Sequence, residues 1–273
     1  MLILKFIKLK PIIDSLIVCM FIVSFSNCYS PPKFPATLME MNKPEYLLKD
    51  SLFWNRNESK HFTYFSSKKV DSGFIKDIIE NQENNIIHIA KIMDIKNIDT
   101  LPKIKLWIFN SDNEKYSKTQ VKSNAHTLTE YWSTYYNKNN ATGAHEVGHL
   151  MSQHFWGYLK SKKYNFLMEE GFAFYVDETR FFKFDFYKKA KVILGNDKYR
   201  ISIIIKENNN NDYENKAIVC GAFDKYLINT FGVEKFAVLW KNIENENVFN
   251  TTYNKSLFDL ENDFYTFLEH PTR

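Results

Sequence analysis

The sequence predicts an α+β fold, with a small mixed sheet and one helix in its N-terminal half and a mainly helical C-terminal half. Two alternating apolar runs, His61 to Ser67 and Lys103 to Phe109, flank a long stretch whose apolar residues recur at helical spacing. From about residue 140 onward the apolar period is helical almost to the end. With 273 residues, 44% of them hydrophobic and 16% aromatic, the chain can bury a sizeable core, and a disordered chain is excluded.

The first 28 residues read as a leader. Lys5, Lys8 and Lys10 make a positive start, and Ser15 to Phe25 is an uncharged apolar run, short for a membrane span and suited to an export signal. The run closes on "FSNCYS", where Cys28 stands at the place of a lipobox cysteine, so this stretch resembles the type II signal of bacterial lipoproteins. The implied location is outside the cytoplasm: lipid-anchored on the periplasmic or cell-surface side of a membrane, or secreted if Cys28 carries no lipid. With Cys19 and Cys28 in the leader, Cys220 is left alone, which rules out an internal disulfide, and its apolar helical surroundings read as a buried small hydrophobe. The formal charge of +4 includes Lys5, Lys8 and Lys10 less Asp14, so the rest carries +2, which gives no reason to expect nucleic acid as a partner.

Residues 29–60, with Pro31, Pro32, Pro35 and Pro44 and little periodicity, read as a tether. The folded domain is then expected over 61–273, with a sheet part at 61–139 and a helical part at 140–273. His61 to Ser67 alternates as a strand. Asp71 or Ser72 caps a helix whose face carries Ile75, Ile78, Ile79, Ile86, Ile89, Ala90 and Met93. Lys103 to Phe109 alternates again, with Ile104, Leu106 and Ile108 on one face. Ala125 to Tyr136, rich in Thr and aromatics, reads as a further strand, and Asn137, Asn139, Asn140 and Thr142 are the expected loop and N-cap of the next helix. Asn208 to Asn211 reads as a loop.

That next helix carries "AHEVGHL", Ala144 to Leu150. Positions four apart differ by about 40° around a helix, so His145 and His149 can turn their imidazoles toward one metal ion. Glu146 points about 100° from His145, placed to act on a water at the metal without being a ligand. Val147 and Gly148 are uncharged and Ala144 and Leu150 apolar, as a buried catalytic helix requires. His154, five residues past His149, is rotated about 140° and is no ligand. A hydrolytic zinc needs three protein ligands and one open position.

Downstream, "NFLMEEGFAFYVDE" (Asn165 to Glu178) carries adjacent glutamates on a second amphipathic stretch. Here the sequence resembles the gluzincin metallopeptidases, whose HExxH helix is followed by one reading W-L-x-E-G-x-A with the glutamate as third ligand. The resemblance assigns the third ligand to Glu170, with 20 residues between it and His149, and leaves Glu169 about 100° off the metal-facing side as an acid suited to a helix start. Leu167 and Met168 stand where the family has an aromatic-leucine pair. "CGAFDKYLINTFGVEKFAVLWK" (Cys220 to Lys241) and "SLFDLENDFYTFL" (Ser256 to Leu268) are similar to segments of the peptidase MA-like branch, common among exported and lipid-anchored bacterial proteins. The likeness spans roughly residues 61 to 270 and implies a zincin-like arrangement with the metal site in the cleft between sheet and helices.

The resemblance also implies a donor for the oxyanion, whose loss costs on the order of 10²-fold or more in rate. Relatives often place a tyrosine just before the A-G-S-F segment. Ala217 holds that position here, and Tyr213, one helical turn earlier, is the substitute candidate. His126 and Tyr131 are placed to border the cleft, without an assigned role. The expectation is a zinc-dependent peptidase acting on peptides or proteins. An endopeptidase is favoured because no G-x-M-E-N-like segment is present to hold a free amine. The alternative is a non-catalytic, membrane-anchored binding protein that keeps a gluzincin fold.

Overall fold

The computed structural model describes residues 40–159, 161–164, 166–178, 186–207 and 211–270. The leader, residues 29–39 of the expected tether, Asn165 and Asn208 to Asn210 lie outside the described residues. The chain divides between Lys49 and Asp50 into two units. Described within the first is a one-turn helix, Pro44–Leu47, which Pro44 opens with the fixed φ that suits a first helical turn.

The second unit is α+β, with a five-stranded mixed sheet in its N-terminal part. The strands are β1 (Trp54–Glu58), β2 (Phe62–Ser67), β3 (Ile104–Phe109), β4 (Ala125–Leu128) and β5 (Ser133–Asn137), in the order β1-β2-β3-β5-β4. The central pairs β2/β3 and β3/β5 are parallel, and the outer pairs β1/β2 and β5/β4 antiparallel. β1 corrects the expected tether: the folded unit begins before residue 61. Only Trp54 of this edge strand is buried, so its polar composition resembles a linker.

Helix α1 (Ser72–Ile92) is capped by Asp71, whose side chain accepts from the backbone N–H of Gly73 and Phe74. It buries Ile75, Ile78, Ile86 and Ile89 in the same core as Tyr64, Ile104, Leu106 and Ile108. The other sheet face carries an aromatic row in cross-strand register: Phe65 opposite Trp107, Trp107 opposite Tyr135, and Tyr135 opposite His126. Phe65 stacks on Trp107 at 4.3 Å between ring centroids and His126 on Tyr135 at 4.5 Å, the second contact supporting the register of the edge strand β4 against β5.

Two expectations for this half need correction. The sheet part has a second helix, α2 (Asp112–Thr119), with Ser111 accepting from the Glu114 N–H and Glu114 accepting from the Asn110 N–H. The segment Ala125 to Tyr136 is two strands, reversed by a tight turn in which Trp132 takes a left-handed conformation (φ 52°).

The rest is helical: α3 (His145–Trp156), a π-helical turn Phe166–Glu170 running into α4 (Gly171–Val176), α5 (Phe186–Leu194), α6 (Ile201–Glu207), α7 (Tyr213–Phe231), α8 (Val233–Lys241), α9 (Val248–Tyr253) and α10 (Leu257–Glu269). α7 is the central helix of this half. Residues from Lys216 to Asp224 along it are all buried, consistent with contacts on every side. Cys220 is a free thiol with no exposed surface, as its apolar setting predicts. No helix among the described residues is long and apolar enough to cross a membrane.

Candidate metal centre

Helix α3 starts without a capping side chain of its own, contrary to the expected Asn/Thr cap. Asn137 instead caps the short turn Lys138–Asn140. The Ala144 N–H donates to Asp177 Oδ1 at 2.6 Å, so a buried carboxylate from the end of α4 takes up a donor at the helix start and complements its positive dipole end. The loop before α3 is clamped from α1: Gln82 Nε2 donates to the carbonyls of Ala141 (2.6 Å) and Gly143 (2.8 Å), and Asn85 to that of Thr142 (3.0 Å). These contacts fix where α3 begins and which face its first turn presents.

His145 and His149 occupy that face one turn apart, with their Nε2 atoms 3.1 Å apart. The π turn brings in Glu170, whose Oε2 lies 3.6 Å from His145 Nε2 and Oε1 3.8 Å from His149 Nε2. Three donors held tetrahedrally at zinc-ligand bond lengths of about 2.0–2.1 Å stand about 3.3–3.4 Å from one another, so this set fits a zinc ion. His145, His149 and Glu170 are a group of candidate metal-binding side chains among the described residues, their ligand atoms all within 4.8 Å.

Close helix packing produces the convergence. A Cβ on Gly148, between the two histidines, would lie 2.6 Å from a methyl of Val176, and one on Gly171, directly after Glu170, 2.6 Å from Asp224 Oδ2 and 3.1 Å from the Cys220 carbonyl carbon. The two glycines let α4 settle between α3 and α7 and carry Glu170 to the histidines. The π turn is unwound relative to an α-helix, and with it both Glu169 and Glu170 line the same cavity. This revises the expected position of Glu169: it faces the cleft beside Glu170 rather than pointing away from the metal-facing side.

Glu146 is buried, and burial raises its carboxyl pKa above the ordinary range, against the opposing pull of His149 and of a hydrogen bond from Thr127. The Thr127 hydroxyl on β4 lies 2.9 Å from Glu146 Oε2 and 2.8 Å from the Glu146 carbonyl oxygen. For Glu170, burial also pushes upward, but the imidazoles of His149 and His145 and the Tyr213 hydroxyl outweigh it and hold the carboxyl below its usual value. Tyr213, the first residue of α7, donates its hydroxyl to Glu170 Oε2 and packs edge-on against Phe166 and Phe174. Burial and then the Glu170 charge raise its own pKa, so the phenol stays protonated. Ala217 has no exposed surface.

Two cavities adjoin at Ala125, His145, Glu146 and Tyr213. One, about 240 Å³, is walled by Asn124, Tyr136, Asn140 and Phe174; the other, about 450 Å³, reaches past His149 to Gln153 and Glu169. His126 lines the second cavity, its imidazole pushed down to about 3 by burial and by Lys115, and is therefore neutral. Tyr131 lines neither cavity, and His154 is exposed, edge-on to Trp132 at 4.6 Å. Sequence reasoning missed Thr127 and Asp177. Each acts across the fold, and neither lies in the HExxH motif. No family model matches the chain, and no curated protein matches it.

Proposed function

We propose that the chain is a zinc-dependent peptidase acting outside the cytoplasm. The observation that most supports this reading is the convergence of His145 Nε2, His149 Nε2 and the Glu170 carboxylate in a cavity that Glu146 also lines. A binding scaffold has no chemical need for a buried carboxylate base beside metal ligands. Location outside the cytoplasm, with attachment to a membrane through Cys28, is supported by the leader-like residues 1–28.

Bound zinc would supply Lewis-acid activation of a water molecule and of the scissile carbonyl. Glu146 takes a proton from the attacking water and delivers it to the amine as the C–N bond breaks. Burial raises its pKa above the ordinary carboxylate value, which strengthens it as a base. Tyr213, protonated and clamped by two phenylalanines, is the donor nearest the ligand set and stabilises the developing oxyanion once its hydroxyl turns from Glu170. Cleavage within a chain is the favoured mode, on the missing amine-binding segment noted in the sequence.

The hydrogen bond from Tyr213 to Glu170 favours a second reading, a membrane-anchored binding protein, because it engages the candidate oxyanion donor with a ligand residue. Metal analysis and a cleavage assay separate the two. The peptidase reading expects about one zinc per chain, cleavage of a mixed peptide library by the wild type, and loss of cleavage with chelator or in Glu146→Gln. Zinc without cleavage supports the binding protein, and absence of zinc overturns both metal-based readings.

A further inference from the structure

We propose that Glu169 is a specificity-determining residue, the counter-charge for an ammonium or guanidinium group of the substrate in the cavity beyond His149. This rests on the peptidase reading of the same site. The cavity of about 450 Å³ is lined by three carboxylates, and no lysine or arginine is among its described lining residues. Two of the three have assigned partners. Glu170 faces both imidazoles and Tyr213, and Glu146 is held by Thr127.

The hydrogen bonds to Glu169 come from neutral amides, while burial raises its carboxyl pKa against the pull of the His149 imidazole, which Glu170 already engages. The Leu159 backbone N–H donates to it, and Gln153 Nε2 lies 3.5 Å away. Gln153 is itself oriented by the Thr129 hydroxyl, which donates to its Oε1 and so turns its NH₂ group toward the carboxylate. A neutral amide orients a carboxylate without cancelling its charge. A half-buried carboxylate in that state gains most from a cationic group that completes a charge-assisted hydrogen bond. The adjoining cavity of about 240 Å³ adds Tyr136 and Phe174 beside Asn124 and Asn140, so a cation is favoured on one side of the scissile bond and an aromatic or apolar side chain on the other.

The test is a set of peptides blocked at both ends, with one lysine moved through successive positions, matched norleucine peptides, and the norleucine peptides with a free amino terminus. We expect the wild type to show a lysine-to-norleucine ratio of kcat/KM of about ten at one register, or the same advantage for the free amine. The two arms distinguish a side-chain cation from an α-amine. In Glu169→Gln that ratio falls to about one, with the melting temperature reporting that the variant is folded. A wild type indifferent to charge at every position, or a ratio that survives in Glu169→Gln, overturns the proposal. If the wild type cleaves nothing, the peptidase reading fails. Binding of the same lysine and norleucine peptides to the zinc-loaded protein then decides the subsite, and equal affinities overturn it.

Discussion

The Thr127 hydroxyl on the edge strand β4 lies 2.9 Å from the carboxylate of Glu146 on helix α3, and within 2.8 Å of the same residue's carbonyl. The contact ties the sheet to the candidate base and sets the direction in which its carboxylate points. Thr127→Val keeps the shape and removes the hydroxyl. A lost hydrogen bond to a charged group is worth about 1.5–3 kcal/mol. Steady-state kinetics should show kcat falling at least tenfold, with KM and zinc content close to wild type.

Metal removal should loosen the helical half, because His145 and His149 come from α3 and Glu170 from the π turn before α4, two segments that a shared ion would tie together. Zinc at a hundredfold excess over its Kd adds about 2.7 kcal/mol of stability. Calorimetry should record a chelator-induced drop in Tm of roughly 5–10 °C for a chain of this size. The His149→Ala variant should melt at the lower temperature with or without chelator.

Gly171→Ala should be costly. The added methyl would sit 2.6 Å from Asp224 Oδ2 and 3.1 Å from the Cys220 backbone, which cannot move aside. Overpacking of this kind costs about 1–3 kcal/mol. Denaturant titration should show a loss in that range, and zinc affinity should fall as Glu170 shifts. Gly148→Ala meets a Val176 methyl instead, and a side chain can yield, so its loss should be the smaller of the two.

Asp224 sits at the centre of α7 with no exposed surface, and burial raises its carboxyl far above the ordinary value. The folded state therefore holds this proton more tightly than the unfolded chain. Its contribution to stability is full below the unfolded carboxylate value of about 3.9 and is lost as pH rises toward the folded one. An amide at this position does not titrate. As pH rises from about 4, unfolding measurements on Asp224→Asn should show a flatter pH dependence than wild type, and higher stability at the alkaline end.

Much of this molecule is legible locally. Alternation marks Phe62–Ser67 and Ile104–Phe109, Asp71 marks the start of α1, and the spacing of His145 and His149 is a property of any helix. β1 was not legible, because an edge strand with one buried residue carries almost no apolar period. Helix α2 left a weaker trace in Ser111-x-x-Glu114, a capping pair ahead of a segment with few apolar residues. The cap of α3 left none nearby, since the carboxylate serving it belongs to Asp177, 33 positions along the chain.

By itself the sequence determined the fold class, the helix bearing His145, Glu146 and His149, and, through its resemblance to a known motif, Glu170 as their partner. These follow from side-chain period and from residue order, which act within a few turns of chain. Tertiary structure alone decided that Glu169 shares the cleft, that Thr127 holds Glu146, that Tyr213 rests on Glu170 and that Asp177 opens α3. Each depends on how closely helices and strand approach. That distance is set by what the glycines leave out and the aromatic row fills in, and no local period encodes it.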